Sequence, residues 1–259
     1  MLKVYWTIKA QYLKTAMEYR FNFWMMAVAG FLMRALLLGV AFVLYRNVQS
    51  IAGYSEGQVY LIMSFMFLTE GMCNIFFDGI WHILGLVFTG KLDVMLCRPV
   101  SPLFQIISHE VGLQGVGVLA IGFLSLFLAL AYLGLVTIPA ILLCLLFIVC
   151  GTAVRASSYL IGECTFFWLK QGGQLNVPYT LYSIGEYAKY PVSIYPRLMQ
   201  VVLFGLIPYG FIGYIPMLVL TGERTLLYVL LTVTVSAAYT LLARALFTMG
   251  IKKYESMGM

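Results

Sequence analysis

Charged residues are scarce in this chain, and the few that interrupt apolar runs are the ones that could do chemistry. Of the 259 residues, 62% are hydrophobic and 10% are charged. Arg34 and Glu70 each lie inside a long apolar run. An ionised side chain in lipid costs roughly 2.5–3.5 kcal/mol on insertion scales, so we expect these two residues to pair. The pair could be architectural and fix helix packing, or it could form part of the wall of a transport pathway.

A second polar feature is the segment Gly90–Pro99, GKLDVMLCRP, which lies between two apolar runs. Its acid, Asp93, and its bases, Lys91 and Arg98, could form directional hydrogen bonds with a water-soluble partner. The alternative is that the bases only set membrane orientation and that Asp93 caps a helix. We favour a docking segment, because orientation alone does not require a glycine and a proline at its ends.

Other kinds of chemistry are not indicated. The stretch 85–92, GLVFTGKL, nearly matches a phosphate-binding loop, but Leu92 replaces the required hydroxyl residue and no strand precedes it. The two histidines, His82 and His109, lack the spacing of metal ligands, so we predict no metal site. The intramembrane acids are too scattered for a catalytic cluster, so we predict that the chain is not an enzyme.

The elements that position these residues are predicted from composition. The mean hydropathy of +0.94 is typical of an integral membrane protein, and the length allows about six spans of roughly 20 residues. We predict an all-α protein with a single membrane domain over 1–259. A basic amphipathic helix at the N-terminus should lie on the membrane surface, in contact with lipid. The predicted spans are 21–45, 59–77, 111–133, 139–161, 198–220 and 226–247.

The fifth predicted span carries two prolines, Pro208 and Pro216. Proline inside a helix leaves carbonyl groups without partners, and these must be buried or face water. We therefore expect a kinked or partly re-entrant helix that could border a cavity. Prolines also kink ordinary packing helices, and this second interpretation stays open.

Membrane orientation is predicted from lysine and arginine, which are retained on the cytoplasmic side. Only Arg46 and Arg224 fall on one side of the predicted spans. The larger set falls on the other side: Lys3, Lys9, Lys14, Arg20, Lys91, Arg98, Lys170, Lys189, Arg197, Lys252 and Lys253. Both termini, the Gly90–Pro99 segment and the stretch 171–197 should therefore be cytoplasmic. Because the bases are scattered over helix ends, we do not expect nucleic-acid binding.

Two motifs give the chain a family resemblance. The segment Gly90–Pro99 is similar to a G-x-L-D-x-x-L-x-R-P pattern after the second span in six-span permease subunits of bacterial type-2 ABC exporters. The matching residues are Gly90, Leu92, Asp93, Leu96, Arg98 and Pro99. The stretch 190–196, YPVSIYP, resembles a Y-P-x-x-x-Y-P motif of the same subfamily.

This resemblance implies a permease in the bacterial cytoplasmic membrane that works with a second permease, either a copy of itself or a related chain. It implies a coupling helix between spans two and three that docks a separate cytoplasmic ATPase, through Gly90, Leu92, Asp93, Arg98 and Pro99. ATP and magnesium would bind that ATPase, and this chain would bind no cofactor. A proton-coupled carrier and a membrane-embedded enzyme are the alternative functions.

Overall fold

Helices make up nearly all of the computed structural model, which describes residues 2–48, 50–168, 176–222 and 225–254. Within these ranges, no strand occurs beyond an isolated bridge between Ile51 and Tyr54. The α-helices are α1 (Leu2–Glu18), α2 (Arg20–Asn47), α3 (Glu56–Phe77), α4 (Ile83–Phe88), α5 (Lys91–Leu96), α6 (Pro102–Ser108), α7 (Gln114–Tyr132), α8 (Ile138–Cys164), α9 (Val177–Glu186), α10 (Arg197–Val201), α11 (Tyr214–Leu220) and α12 (Thr225–Lys253). Five helical segments of the described chain are long and apolar enough to cross a membrane, and a bent pair would make six. The predicted all-α membrane class is confirmed.

Helix α3 forms the centre of the bundle. It packs against α7 and α8, while α2 packs on α7 and α12 packs on α8. In its most apolar stretch, α3 is 78% buried, whereas α2 and α12 are only 11% and 17% buried. The apolar side chains on the outer faces of α2 and α12 therefore suit lipid or another membrane protein.

Glycines allow α7 to approach both of its neighbours closely. A Cβ atom at Gly117 would overlap the carbonyl oxygen of Ala27 in α2. On the other side, a Cβ atom at Gly115 would stand 2.9 Å from Cβ of Asn74, and one at Gly122 would stand 3.0 Å from the Leu68 side chain, both in α3. Small residues thus bring three helices to backbone contact, as expected where no hydrophobic driving force acts between helices.

The bundle has two distinguishable ends. We call one the basic end: it holds α1, α4, α5, α6 and the last turn of α12. Helices α8 and α12 run parallel, since Ser157 bonds Thr240 and Phe167 packs on Phe247 near their C-termini. The α2–α3, α7–α8 and α11–α12 connections therefore lie together at the opposite end, which we call the far end.

The segment 177–195, formed by α9 and two short 3₁₀ turns, runs antiparallel to α3 along its length. Tyr182 donates a 3.4 Å hydrogen bond to Glu70, and the Lys189 ammonium lies 5.7 Å from the Phe67 ring. Ser193 then meets the hydroxyl of Tyr54, just before α3, at 2.6 Å. The expectation that the stretch 171–197 is a cytoplasmic surface segment is therefore wrong for its described part. Residues 171–175 lie outside the described ranges.

The predicted span 198–220 is broken into two arms and is not one straight helix; we call the two arms together the hairpin. Its two arms, 197–206 and 209–220, are bent by 79°. The Tyr54 hydroxyl contacts Ser193, just before the first arm, and Tyr214 in the second arm, at 2.6 and 2.8 Å, so the approach to the first arm and the middle of the second lie together toward the far end. The tip reaches the middle of the bundle, where Tyr239 donates to the Leu206 carbonyl.

The two prolines explain this shape. Pro208 has no N–H and stands at the break, where a π-helical turn (Val202–Leu206) ends and the chain turns sharply. Pro216 lies in the first turn of α11, where a missing N–H breaks no helical hydrogen bond. The expected re-entrant break is present at Pro208, while Pro216 interrupts nothing.

Cysteine labelling tests this topology. Cys97 is exposed and the other four cysteines are buried, so Cys97 reports on the basic end. In a Cys97→Ser background, Arg197→Cys should react with a membrane-impermeant maleimide from the same side as Val48→Cys, at the end of α2. The native Cys97 should react from the other side. Reaction of Arg197→Cys from the Cys97 side would show that 198–220 crosses the membrane after all.

Candidate functional site

A cavity of about 550 Å³ lies among α2, α3, α7, α8 and α9. It extends from Asp78 and His82 at the basic end to Arg34 and Glu70 near the middle of the bundle. One wall is aromatic and is formed by Trp81, Tyr159, Tyr179 and Tyr182. The Trp81 and Tyr159 ring centroids are 4.7 Å apart, and Tyr182 packs on both. The cavity therefore offers apolar area together with a few polar groups, as small-molecule sites do.

Arg34 and Glu70 close the inner end of this cavity as an ion pair. The Arg34 Nε donates to Glu70 Oε2 at 3.0 Å, and its Nη2 donates to Oε1. Their side chains are only 15% and 5% exposed. Two parallel hydrogen bonds neutralise both charges and fix the guanidinium and carboxylate planes. The structure contains this ion pair, and its role in transport stays a prediction.

A second buried charged cluster lies beside this pair. The Arg155 side chain is fully buried and donates to Thr69 Oγ1 at 3.3 Å and to the Met66 carbonyl at 3.2 Å. Its Nη1 is 3.7 Å from Glu186 Oε1, and Glu186 in turn accepts from Lys189. Arg155 is therefore held in the interior of the bundle.

The hairpin tip rests on this second cluster. The Arg155 guanidinium lies over the Tyr209 ring, 5.0 Å from its centroid. Gly185 makes room for the same ring, because a Cβ atom there would overlap it. A cation over an aromatic face is attractive, and more so where water is excluded. The two clusters together join α2, α3, α8, the segment 177–195 and the hairpin.

Helix α1 is fastened at the basic end beside the cavity mouth. The Lys9 ammonium donates to the carbonyl oxygens of Ile75, at 3.3 Å, and of Glu110. Burial lowers the pKa of Lys9 to about 8. The Tyr12 hydroxyl meets Nδ1 of His109 at 2.6 Å, and burial lowers the pKa of His109 below its usual value. The predicted N-terminal helix is thus packed against the ends of α3 and α6.

The segment Gly90–Pro99 forms most of a short helical element at the basic end. Gly90 precedes α5 with φ +65°, a left-handed conformation that glycine adopts without strain. Leu92 and Met95 face inward and are buried with side chains of α8 and α12. The outward face carries Phe88, Lys91, Val94, Leu96, Cys97, Arg98 and Pro99.

This element is tied to α6 and α12. Gln105 of α6 donates to the carbonyls of Met95 and Val100, both at 2.9 Å. Asp93 lies beside Tyr254, just after α12, and burial together with this carboxylate raises the pKa of Tyr254. A displacement of α5 would therefore move α6 and the end of α12 with it.

The protein family of this chain is shown by a comparison with family models. A family model described as ABC-2 family transporter protein matches residues 31–258. The chain belongs to the ABC-2 transporter family. No curated protein and no solved structure matches this permease. The matched range takes in most of α2 and every element from α3 to α12, including most of the cavity lining and the α4–α5 element.

The family assignment confirms the resemblance and identifies the chain as the membrane component of a transporter, which is not itself catalytic. Of the residues proposed for docking, Arg98 and Pro99 are exposed, and Gly90 and Asp93 are partly exposed. Leu92 is completely buried, so it anchors α5 and does not contact a partner. Neither Pro208 nor Pro216 lines the cavity described above.

Sequence reasoning missed Glu186, Lys189 and Tyr182. Glu186 and Lys189 are three residues apart and so lie on one helical face, which could have indicated a membrane-embedded pair. The count of lysine and arginine instead places the stretch 171–197 on the cytoplasmic side, so these side chains are not expected inside the bundle. Its broken helical structure hides the apolar run that identifies a span.

Substitutions at the inner ion pair should affect stability strongly. Glu70→Ala in this ABC-2 permease leaves the Arg34 guanidinium buried without its counter-ion, so we expect a loss of about 3–5 kcal/mol in the free energy of unfolding. The joint change Arg34→Met with Glu70→Leu should lose much less, because no charge remains buried. Denaturant unfolding in detergent measures both. A Glu70→Ala variant as stable as the native chain would contradict the pairing.

Proposed function

We propose that this ABC-2 permease is the transmembrane subunit of an ATP-driven exporter, and that its α4–α5 element docks a separate cytoplasmic ATPase. The observation that carries the proposal is the outward face of that element. Phe88 and Val94 are 44% and 55% exposed beside the charged Lys91 and Arg98. Exposed apolar side chains among charges are typical of a protein interface, and the buried Leu92 and Met95 hold the face in place.

The orientation required for docking follows from the distribution of bases. The bases placed at the basic end are Lys3, Lys9, Lys14, Arg20, Lys91, Arg98, Lys252 and Lys253. Arg46 and Arg197 lie at the far end, and Lys189 is buried within the bundle. Arg197 and Lys189 therefore no longer count toward the cytoplasmic group of bases, but most lysines and arginines still lie at the basic end. We infer that the basic end and both termini are cytoplasmic in a bacterial cytoplasmic membrane.

ATP and magnesium would be bound by the partner ATPase. Movement of α4–α5 would reach the cavity directly, because the 3₁₀ segment Asp78–His82 connects α4 to α3. Trp81 and His82 of that segment line the cavity mouth. The α6 and α12 contacts of α5 would carry the same displacement to two further helices. The cavity would therefore change shape when the docked ATPase moves.

A second permease subunit, either a copy of this chain or a related one, would complete the transport pathway. Helices α2 and α12 present long apolar faces, and α2 also lines the cavity. A partner packed on α2 would add a wall to the cavity and cover apolar area outside lipid. The pairing of Glu70 with Arg34 favours an ATP-driven permease over a proton-coupled carrier, because a carboxylate held by two hydrogen bonds is a poor proton relay.

Copurification tests the docking proposal. Full-length tagged permease purified from mild detergent should carry an ATPase subunit and hydrolyse ATP. Val94→Asp and Arg98→Glu should each lower the recovered ATPase at least about tenfold, because a central interface residue contributes about 2 kcal/mol or more. The measurement is the ratio of the two subunits by quantitative mass spectrometry. Native permease without any associated ATPase would overturn the proposal.

Two control variants separate docking from folding. Arg46→Glu reverses a charge at the far end and should leave the subunit ratio unchanged. Leu92→Ala should instead lower the stability of the permease by about 2–5 kcal/mol through loss of buried contacts. If Val94→Asp and Arg98→Glu both recover as much ATPase as the control Arg46→Glu, α4–α5 is not the docking element.

A further inference from the structure

Three side chains with metal-binding atoms converge at the cavity mouth. His82 Nε2 lies 2.5 Å from Glu110 Oε2 and 3.9 Å from Asp78 Oδ2. The three ligand atoms all lie within 4.8 Å of one another. Asp78 and His82 come from the segment that follows α3, whereas Glu110 comes from the connection between α6 and α7. Two separate parts of the chain therefore direct one imidazole and two carboxylates to one point.

We propose that Asp78, His82 and Glu110 bind a divalent transition-metal ion of the Zn²⁺, Mn²⁺ or Co²⁺ type. Ligand atoms on a tetrahedral zinc ion lie about 2.0–2.2 Å from the metal, which separates any two of them by about 3.4 Å. The observed separations fall on both sides of that value, so small side-chain rotations suffice. One imidazole and two carboxylates suit these metals better than magnesium or calcium, which prefer oxygen ligands alone.

The charge balance favours a cation at this point. Lys9 directs its ammonium to the backbone carbonyls of Ile75 and Glu110, and its single charge also acts on the Asp78 and Glu110 carboxylates. The two carboxylates still repel each other, and the His82 imidazole lies close to both. An added divalent ion would relieve their repulsion, since bound metal ions are often the largest charges in such sites.

The local backbone also keeps the ligands in place. The Gly112 amide donates to the Asn74 carbonyl at 2.8 Å and holds the Glu110 connection against the end of α3. A Cβ atom at Gly112 would stand 2.9 Å from Asp78 Oδ1, so the missing side chain leaves the carboxylate its space. The fourth position on the metal would face the cavity, because Asp78 and His82 both line it. A water molecule or a donor atom of the cargo could occupy that position.

A bound metal would connect two elements that lead to different parts of the permease. The Asp78–His82 segment continues into α4, and the Glu110 connection continues into α7. Their link would restrain the cavity mouth and the start of the α4–α5 element together. The site was missed in the sequence because His82 and Glu110 are far apart there and no ligand motif joins them.

Metal binding to the purified full-length permease tests the proposal directly. After removal of metals with EDTA, equilibrium dialysis against Zn²⁺ should load one ion per chain, and Mg²⁺ in excess should not displace it. Co²⁺ in place of Zn²⁺ should give visible d–d absorption that reports a tetrahedral or five-coordinate site. His82→Ala and Glu110→Gln should each raise the apparent Kd for Zn²⁺ at least about tenfold, the minimum effect seen even for residues that only support ligands.

The chain supplies a matched control. His109 is its only other histidine, lies next to Glu110 and bonds Tyr12 instead of the cluster. His109→Ala should bind Zn²⁺ like the native permease. Equal Zn²⁺ affinity in His82→Ala and native permease, or no Co²⁺ absorption, would show that the cluster is an ion pair only. Copurification of the ATPase does not depend on this result, so the metal site and the docking proposal can fail separately.

Discussion

The structure depends on the pairing of charges inside an apolar bundle. Arg34, Glu70, Arg155, Glu186 and Lys189 lie where an isolated charge would be strongly disfavoured, and each has a counter-ion within its cluster. Because the partners come from different elements, the requirement for neutralisation also fixes how those elements pack. The short helices and irregular turns of 177–195, which apolar area alone would hold weakly, are bound to α3 and α8 in this way.

The sequence alone predicts the all-α membrane class and the limits of the five long apolar helices, because both depend on long apolar runs. The helices α2, α3, α7, α8 and α12 begin and end within a few residues of the predicted limits, apart from the longer C-terminal end of α12. The Arg34–Glu70 pair was predictable for the same reason, since two isolated charges in adjacent spans leave few other partners. The packing of 177–195 along α3 was not predictable from hydropathy, because its turns and tyrosines interrupt the apolar pattern that identifies a span.

The α4–α5 element illustrates a second limit of sequence reasoning. The motif identified the right segment, but a motif does not state which side chains face outward. Leu92 belongs to the motif because it anchors the helix, while the exposed Val94 stands at a variable position of the pattern. Similarly, His82 and Glu110 meet only because α6 folds back against the end of α3, a tertiary contact that no local spacing encodes.

The hairpin that dips into the bundle from the far end has a mechanical consequence. Its buried residues Leu203, Ile207 and Ile212 pack with Met66 of α3 and Val154 of α8, so the hairpin fills the bundle between the Arg155 cluster and the far end. Tyr54 contacts both Ser193, just before the hairpin, and Tyr214 in its second arm, so an outward movement of the hairpin would not require a spanning helix to slide through lipid. Withdrawal would separate Tyr209 from Arg155, so opening toward the far side is linked to the charge at the centre of the protein.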